Sequence, residues 1–384
     1  MKLSTDRILT THVGSLPRSP ELSALLLKKD HGEPYDAADL TRLVREGVAA
    51  IVARQVATGI DIVSDGETGK VGYSTYIHER LTGFSGANTA KPNLDVAPYP
   101  EFRRRMALMT GAPGIVRMFC TGPIALRDGN AVKVDVANMK AAMAAAKPVD
   151  GFMPAASPGV VSSFQPNKYY PTHRAYIEAV GDAMKAEYDA IAGAGIVLQI
   201  DCPDLAMSRH TGFQDLTEAE FLARATEQVE VLNHAVRDIP ADRMRLHLCW
   251  GNYEGPHDHD IDVAKIIPIA MRAKPQAISF EAANPRHAHE WAVWRDAKAA
   301  LPEDKVLIPG VIDSCSNYVE HPELVAQRIG QFADIVGRER VLAGVDCGFG
   351  TFAGVGKIDP EIAFKKLGAL TAGAALASAR LWAR

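Results

Sequence analysis

Apolar runs that stop at polar or turn residues recur along this chain, and helical stretches fill the spaces between them. The runs are 7–15, 60–67, 149–158, 196–203, 244–251, 277–281, 306–313 and 341–348, each of which reads as a β-strand. Between the first two lies an amphipathic helix over 38–58, with Leu40, Leu43, Val44, Val48 and Ile51 on one stripe. Further helices are expected over about 172–192, 217–238, 287–300 and 321–336. A last one starts near Asp359, where Asp359-Pro360 supplies a cap and a first helical residue. Alternating β and α elements imply a parallel sheet, and eight such units imply closure as a (β/α)8 TIM barrel.

One run falls outside that count. Residues 114–120 also read as a strand, within a stretch that carries Pro92, Pro98, Pro100 and Pro113. Prolines favour loops and edge strands, so residues 68–148 are expected to form an excursion between the second and third barrel strands. No internal repeat or low-complexity linker marks a second domain, so residues 1–384 read as one TIM-barrel domain. A doubly wound sheet is the weaker alternative, because no G-x-G-x-x-G follows the first strand.

Composition narrows the partners. The 384 residues carry a formal net charge of −4 with the signs scattered, which offers nucleic acid no basic stripe. No apolar run approaches the length that crosses a bilayer. Small molecules are therefore the expected partners. The five cysteines are Cys120, Cys202, Cys249, Cys315 and Cys347, and the N-terminus lacks a basic-then-apolar signal. A reducing cytoplasm fits this usage and keeps thiolates available.

The strand ends carry the chemistry. His247 and Cys249 share one run, Glu281 ends the next and Cys347 ends the last. Successive strand residues alternate faces, so His-x-Cys points both side chains the same way. A buried strand also carries a Cys as a small hydrophobe and a His bonded to backbone, and that alternative stands for either residue alone. Together, two thiols, an imidazole and a carboxylate favour zinc (Zn2+) over magnesium or calcium, which prefer oxygen. Asp65, Glu67, Asp201 and Asp313 end other runs at the same rim, where barrel active sites lie, although Asp65 and Asp313 suit helix or turn caps equally well.

The ordered series Thr10–Ser15, Asp65–Glu67, Gln199–Pro203, His247–Cys249, Glu281, Gly310–Asp313 and Asp346–Gly348 resembles the catalytic half of cobalamin-independent methionine synthases. The likeness covers essentially the whole chain. It implies a methionine synthase/uroporphyrinogen decarboxylase-like barrel holding one zinc on His247, Cys249, Glu281 and Cys347. It also implies that a zinc-bound thiolate is the nucleophile in methyl or alkyl transfer, with homocysteine the favoured acceptor. Glu281 is the most exchangeable of the four donors, and Asp313 and His12 complete the expected catalytic set. On the same grounds Glu67 and Asp201 would hold the substrate ammonium and the backbone around Ser15 its carboxylate, and Arg18 and Trp250, by their places after strand ends, are expected among the substrate-binding residues.

Departures from the resemblance bear on the donor. Folate-using synthases are about twice as long, and they place a histidine acid where this chain has Cys315 in Asp313-Ser314-Cys315-Ser316. A thiol substitutes poorly for an imidazole that titrates near neutrality. A donor other than polyglutamyl methyl-folate is expected, either a corrinoid or a methylated small molecule. Cys249–Asp260 resembles a short single-barrel group that includes archaeal-type methionine synthases and epoxyalkane:coenzyme M transferases. An epoxide route would need an acid such as His12, His210 or Tyr76, and a sulfonate thiol would need a cation such as Arg18, Lys70 or Arg209. A non-transferase barrel with structural zinc is a further alternative. His257 and His259 alternate with Asp in a loop of the kind that orders itself by hydrogen bonds or covers a site.

Overall fold

The computed structural model describes residues 1–89, 91–110 and 116–383. Its strands are β1 (Leu9–Thr10), β2 (Ile62–Ser64), β3 (Phe84–Ala87), β4 (Met118–Cys120), β5 (Asp150–Ala156), β6 (Val197–Asp201), β7 (Met244–His247), β8 (Ala277–Phe280), β9 (Val306–Pro309) and β10 (Leu342–Ala343). β2, β5, β6, β7, β8 and β9 form one parallel ladder in that order, and β1 pairs in parallel with β10. The parallel bridges Leu307 to Val341 and Gly310 to Gly344 join β10 to β9. Side chains span the remaining seam. Asp61 accepts from the Thr10 amide and hydroxyl and pairs with Arg7, Thr11 donates to the Ile62 carbonyl, and Ser64 donates to that of Gly14. The result is an α/β barrel of the TIM type.

Helices cover the outside, and local chemistry sets where they start. Asp36 caps Ala37–Ala57, Thr172 caps His173–Gly193, and Thr217 with Glu220 forms a capping box on Glu218–Ala235. Asp359 caps Pro360–Trp382 with proline in the first turn, as the sequence led us to expect. The helix expected over 287–300 is shorter, being Trp291–Asp296 followed by a 3-10 turn. Pro158–Phe164 and Val263–Ala270 are helices that the apolar pattern concealed. The first follows β5 directly and is capped by Ser157, and the second contains Pro268.

Between β2 and β5 the chain leaves the barrel ladder, and β3 and β4 pair antiparallel as a separate small sheet. Within this stretch Pro100 opens the helix Pro100–Thr110, which corrects the expectation of loop or edge strand there. Proline is tolerated in a first helical turn because its missing N–H has no intrahelical partner in any case. Pro113 and the first two residues of the expected strand 114–120 lie outside the described residues. No helix among the described residues is long and apolar enough to cross a membrane.

The barrel interior is polar at one level. Arg245 of β7 is fully buried and stacks 3.4 Å over the Phe152 ring. It donates to Gln199 Oε1 at 2.7 Å, to Thr11 Oγ1 at 2.8 Å and to the His12 carbonyl. Burial pulls its pKa down to about 9, and the three acceptors satisfy a guanidinium that would otherwise be costly to bury. Two residues further along the same strand comes His247.

Candidate metal centre

His247 ends β7, and Cys249 follows on the same face. Cys347 arrives from the loop after β10. Their donor atoms lie within 4.8 Å of one another, and all three residues are buried. Cys249 Sγ and Cys347 Sγ stand 3.8 Å apart, and Cys347 Sγ lies 3.8 Å from His247 Nε2. A disulfide would bring the sulfurs to about 2.05 Å, whereas two thiolates about 2.3 Å from one tetrahedral zinc stand roughly 3.8 Å apart. The spacing therefore fits two sulfurs sharing a metal.

Charge is arranged to match. Burial, reinforced by the Arg245 cation below, lowers His247 to about 3, so it stays neutral as a ligand must. Its Nδ1 has no hydrogen-bond partner among the described residues. The Cys249 thiol is pushed well up by its hydrogen bond with Cys347 and by burial. A bound cation would reverse that preference and favour thiolate.

Glu281 stands beside this set and is not among its three members. Its Oε1 accepts from the Trp250 backbone N–H at 2.7 Å and its Oε2 from Asn284 Nδ2 at 2.8 Å. Asp346, next to Cys347, fixes that neighbourhood. Its carboxylate accepts from the amides of Ala282, Ala283 and Asn284 and from Asn284 Nδ2. Burial and the Glu281 charge nevertheless raise Asp346 to about 8.

Glu67 and Asp201 form a second buried group. Glu67 follows Gly66 in a tight turn and itself adopts φ 52°, a strained conformation for a non-glycine residue. Its Oε2 has no partner among the described residues, while Asp201 Oδ1 accepts from Gln199 Nε2 at 2.7 Å. Burial raises both carboxyls, and Glu67 raises Asp201 further. Two such groups with an unused oxygen suit an incoming ammonium. Ser15 meets the loop that bears Cys347: its carbonyl accepts from Phe349 N at 2.9 Å, and a Cβ on Gly348 would lie 1.9 Å from its hydroxyl.

Other expected site residues have different tasks. His12 Nε2 is 2.7 Å from Gln55 Oε1, and its Nδ1 accepts from the Gly14 amide at 3.2 Å. Burial lowers it to about 3, so it is neutral with both ring nitrogens engaged inside the barrel. Asp313 spends its two oxygens on the amides of Cys315 and Ser316, so it caps a turn. Arg18 donates to the carbonyls of Gly350 and Glu67, tying two rim loops together, and does not present a free cation. The Trp250 indole is fully buried and donates to the Ile261 carbonyl at 2.7 Å, so only its backbone reaches the site. Tyr76 donates to Glu187 inside the core.

Two residues went unread in the sequence. Asn252 Oδ1 accepts from Ser314 and Cys315, and its Nδ2 donates to the Gly348 carbonyl and Thr351. Tyr73 is raised by burial and by the charges of Cys249, Cys347 and Asp201, so both groups act on its phenol. A polar residue just past a strand-end glycine was the available signal for Asn252, and an aromatic following Gly72 was the signal for Tyr73.

A closed α/β barrel whose strand ends gather an imidazole, two thiols and a pair of buried carboxylates defines a class of rim-sited proteins. Within that class, the chain belongs to the family described as cobalamin-independent synthase, catalytic domain, which matches residues 8–357. It is similar to the methionine synthase of Sulfolobus acidocaldarius, 22% identical over 342 residues that cover 88% of this chain and 85% of that one. The methionine synthase of Thermococcus kodakarensis is 23% identical over 359 residues, covering 93% and 90%. Among solved structures, a B12-independent methionine synthase from Shewanella sp. W3-18-1 in complex with selenomethionine superposes with a TM-score of 0.73 at 17% identity, covering 98% of this chain and all of the other.

Proposed function

We propose that this protein transfers a methyl or alkyl group to a substrate thiol, with zinc as its cofactor and homocysteine as the favoured acceptor. The observation that carries the reading is the sulfur pair of Cys249 and Cys347 at 3.8 Å with His247 Nε2 beside it. These three residues would hold the ion, with Glu281 beside them as the exchangeable fourth donor. Bound there, zinc would supply a Lewis acid that strips the proton from a substrate thiol and keeps its sulfur nucleophilic.

The chain's own residues account for the rest. Glu67 and Asp201 would take the ammonium of an amino-acid thiol, and that complementarity favours homocysteine over a sulfonate such as coenzyme M. The backbone around Ser15 would receive its carboxylate. Asp346 and Asn284 hold Glu281 in place, and Asn252 ties the loops after β7, β9 and β10 around the entrance. With Cys315 raised well above the ordinary thiol range by burial, no acid matched to a folate nitrogen stands at that position. The donor in this reading is a methylated small molecule, and the family's cobalamin independence lends a corrinoid no support.

Zinc-edge X-ray absorption tests the proposal, with homocysteine, coenzyme M and glutathione added separately. One thiol should raise the sulfur count above the two supplied by Cys249 and Cys347. Capture of coenzyme M alone would shift the reading to epoxide opening, and no change with any thiol would make the metal structural.

A further inference from the structure

His210 is completely buried, yet neither ring nitrogen has a hydrogen-bond partner among the described residues. Its Nδ1 lies 3.2 Å from Asp260 Oδ1 and 3.6 Å from Asp95 Oδ2, without the alignment of a hydrogen bond to either. An imidazole nitrogen this close to two carboxylates leaves room between them for a shared cation. An ion shared by all three groups would sit off the nitrogen–oxygen lines, in keeping with the poor alignment.

The three residues come from separate parts of the chain. Asp95 sits in the stretch between β2 and β5, His210 in the turns after β6, and Asp260 in the loop after β7. Their donor atoms lie within 4.8 Å of one another. Ligand atoms about 2.1 Å from one tetrahedral ion stand roughly 3.4 Å apart, and the two observed separations bracket that value.

A surrounding layer orients both carboxylates, as partners of metal ligands do. Asp95 accepts from the His259 amide at 2.8 Å and from the Tyr253 hydroxyl. Asp260 lies 3.1 Å from His257 Nδ1 and 3.3 Å from His287 Nε2. The other nitrogens of these histidines face the Tyr253 carbonyl and Glu290, and His287 Nε2 lies near Asp260 without the alignment of a hydrogen bond. His210 differs from both in having neither nitrogen hydrogen-bonded among the described residues.

We propose that Asp95, His210 and Asp260 form a second divalent-cation site, distinct from the thiol centre. One imidazole and two carboxylates without sulfur suit a first-row ion such as zinc or manganese. The ion would clamp the segment bearing Asp95 to the loops after β6 and β7. His257 and His259, the pair that first draws notice in the sequence, supply the outer layer.

Cobalt titration of the full-length, chelator-stripped protein tests this. The unaltered chain should bind two equivalents, one of them with sulfur-to-cobalt charge transfer. The double variant Cys249→Ser, Cys347→Ser should keep one equivalent with weak ligand-field bands only. His210→Gln should lose that equivalent and keep the charge-transfer band. The proposal is overturned if the unaltered chain binds a single, thiolate-ligated equivalent, or if the double variant binds none in equilibrium dialysis. The double variant leaves the cluster intact, so the answer does not depend on how His210→Gln folds.

Discussion

The backbone N–H of Trp250 donates to Glu281 Oε1 at 2.7 Å, so the residue after the Cys249 thiol anchors the carboxylate expected on the same metal. Glu281→Gln keeps an oxygen acceptor there and removes the charge. Zinc affinity, measured against a competing chelator, should fall on the order of 10- to 100-fold. Cys249→Ser or Cys347→Ser should lose most of the zinc outright, and full retention in either would sink the site.

Glu67→Gln separates substrate binding from metal binding. A charge-assisted hydrogen bond to an ammonium contributes about 1.5–3 kcal/mol, so KM for homocysteine should rise roughly 10- to 100-fold. Zinc content should not change. Equal losses of both would make Glu67 a structural residue.

Stability should peak near neutral pH. Unfolded histidine titrates near about 6.5, whereas burial holds His12 at about 3. Between those values the unfolded chain binds more protons, so stability rises with pH, and is lost on acidification by about 1.4 kcal/mol per unit for this group. His287 acts on the alkaline side. Burial pulls it down, but Asp260, Glu290 and the Glu281 charge outweigh that and lift it to about 11. Its contribution is complete below about 6.5 and is lost as pH rises towards 11. Urea midpoints across this range should show both limbs, and His12→Gln should flatten the acid one.

Gly348→Ala should be poorly tolerated, since its Cβ would meet Ser15 Oγ at 1.9 Å. Overpacking of this kind costs about 1–3 kcal/mol, readable as a lower Tm. Ser15→Ala in the same chain should recover part of the loss, and a double variant no better than the single one would place the strain elsewhere.

The barrel was legible in the sequence because its eight strands are buried apolar runs with helical stretches between them. His247, Cys249 and Cys347 were legible because each sits at such a run's end. What escaped reading depends on contacts distant in sequence. Trp250 and Arg18 follow strand ends as expected, but the Trp250 indole N–H and the two Arg18 Nη atoms are claimed by Ile261, Gly350 and Glu67. His12 lies two residues past β1, and only the arrival of Gln55 shows that its ring is already engaged. Pro158–Phe164 hid because its Val160 and Val161 prolong the apolar run of β5.

The barrel is not uniformly laced. β1 and β10 are two residues each, and isolated bridges and side chains replace continuous ladders on either side of them. Amide hydrogens there have few cooperative neighbours and should exchange with solvent ahead of those in β5 and β6. Ser15 and Cys347 continue from those two strands, so two residues of the proposed site hang on the part of the wall expected to open most readily.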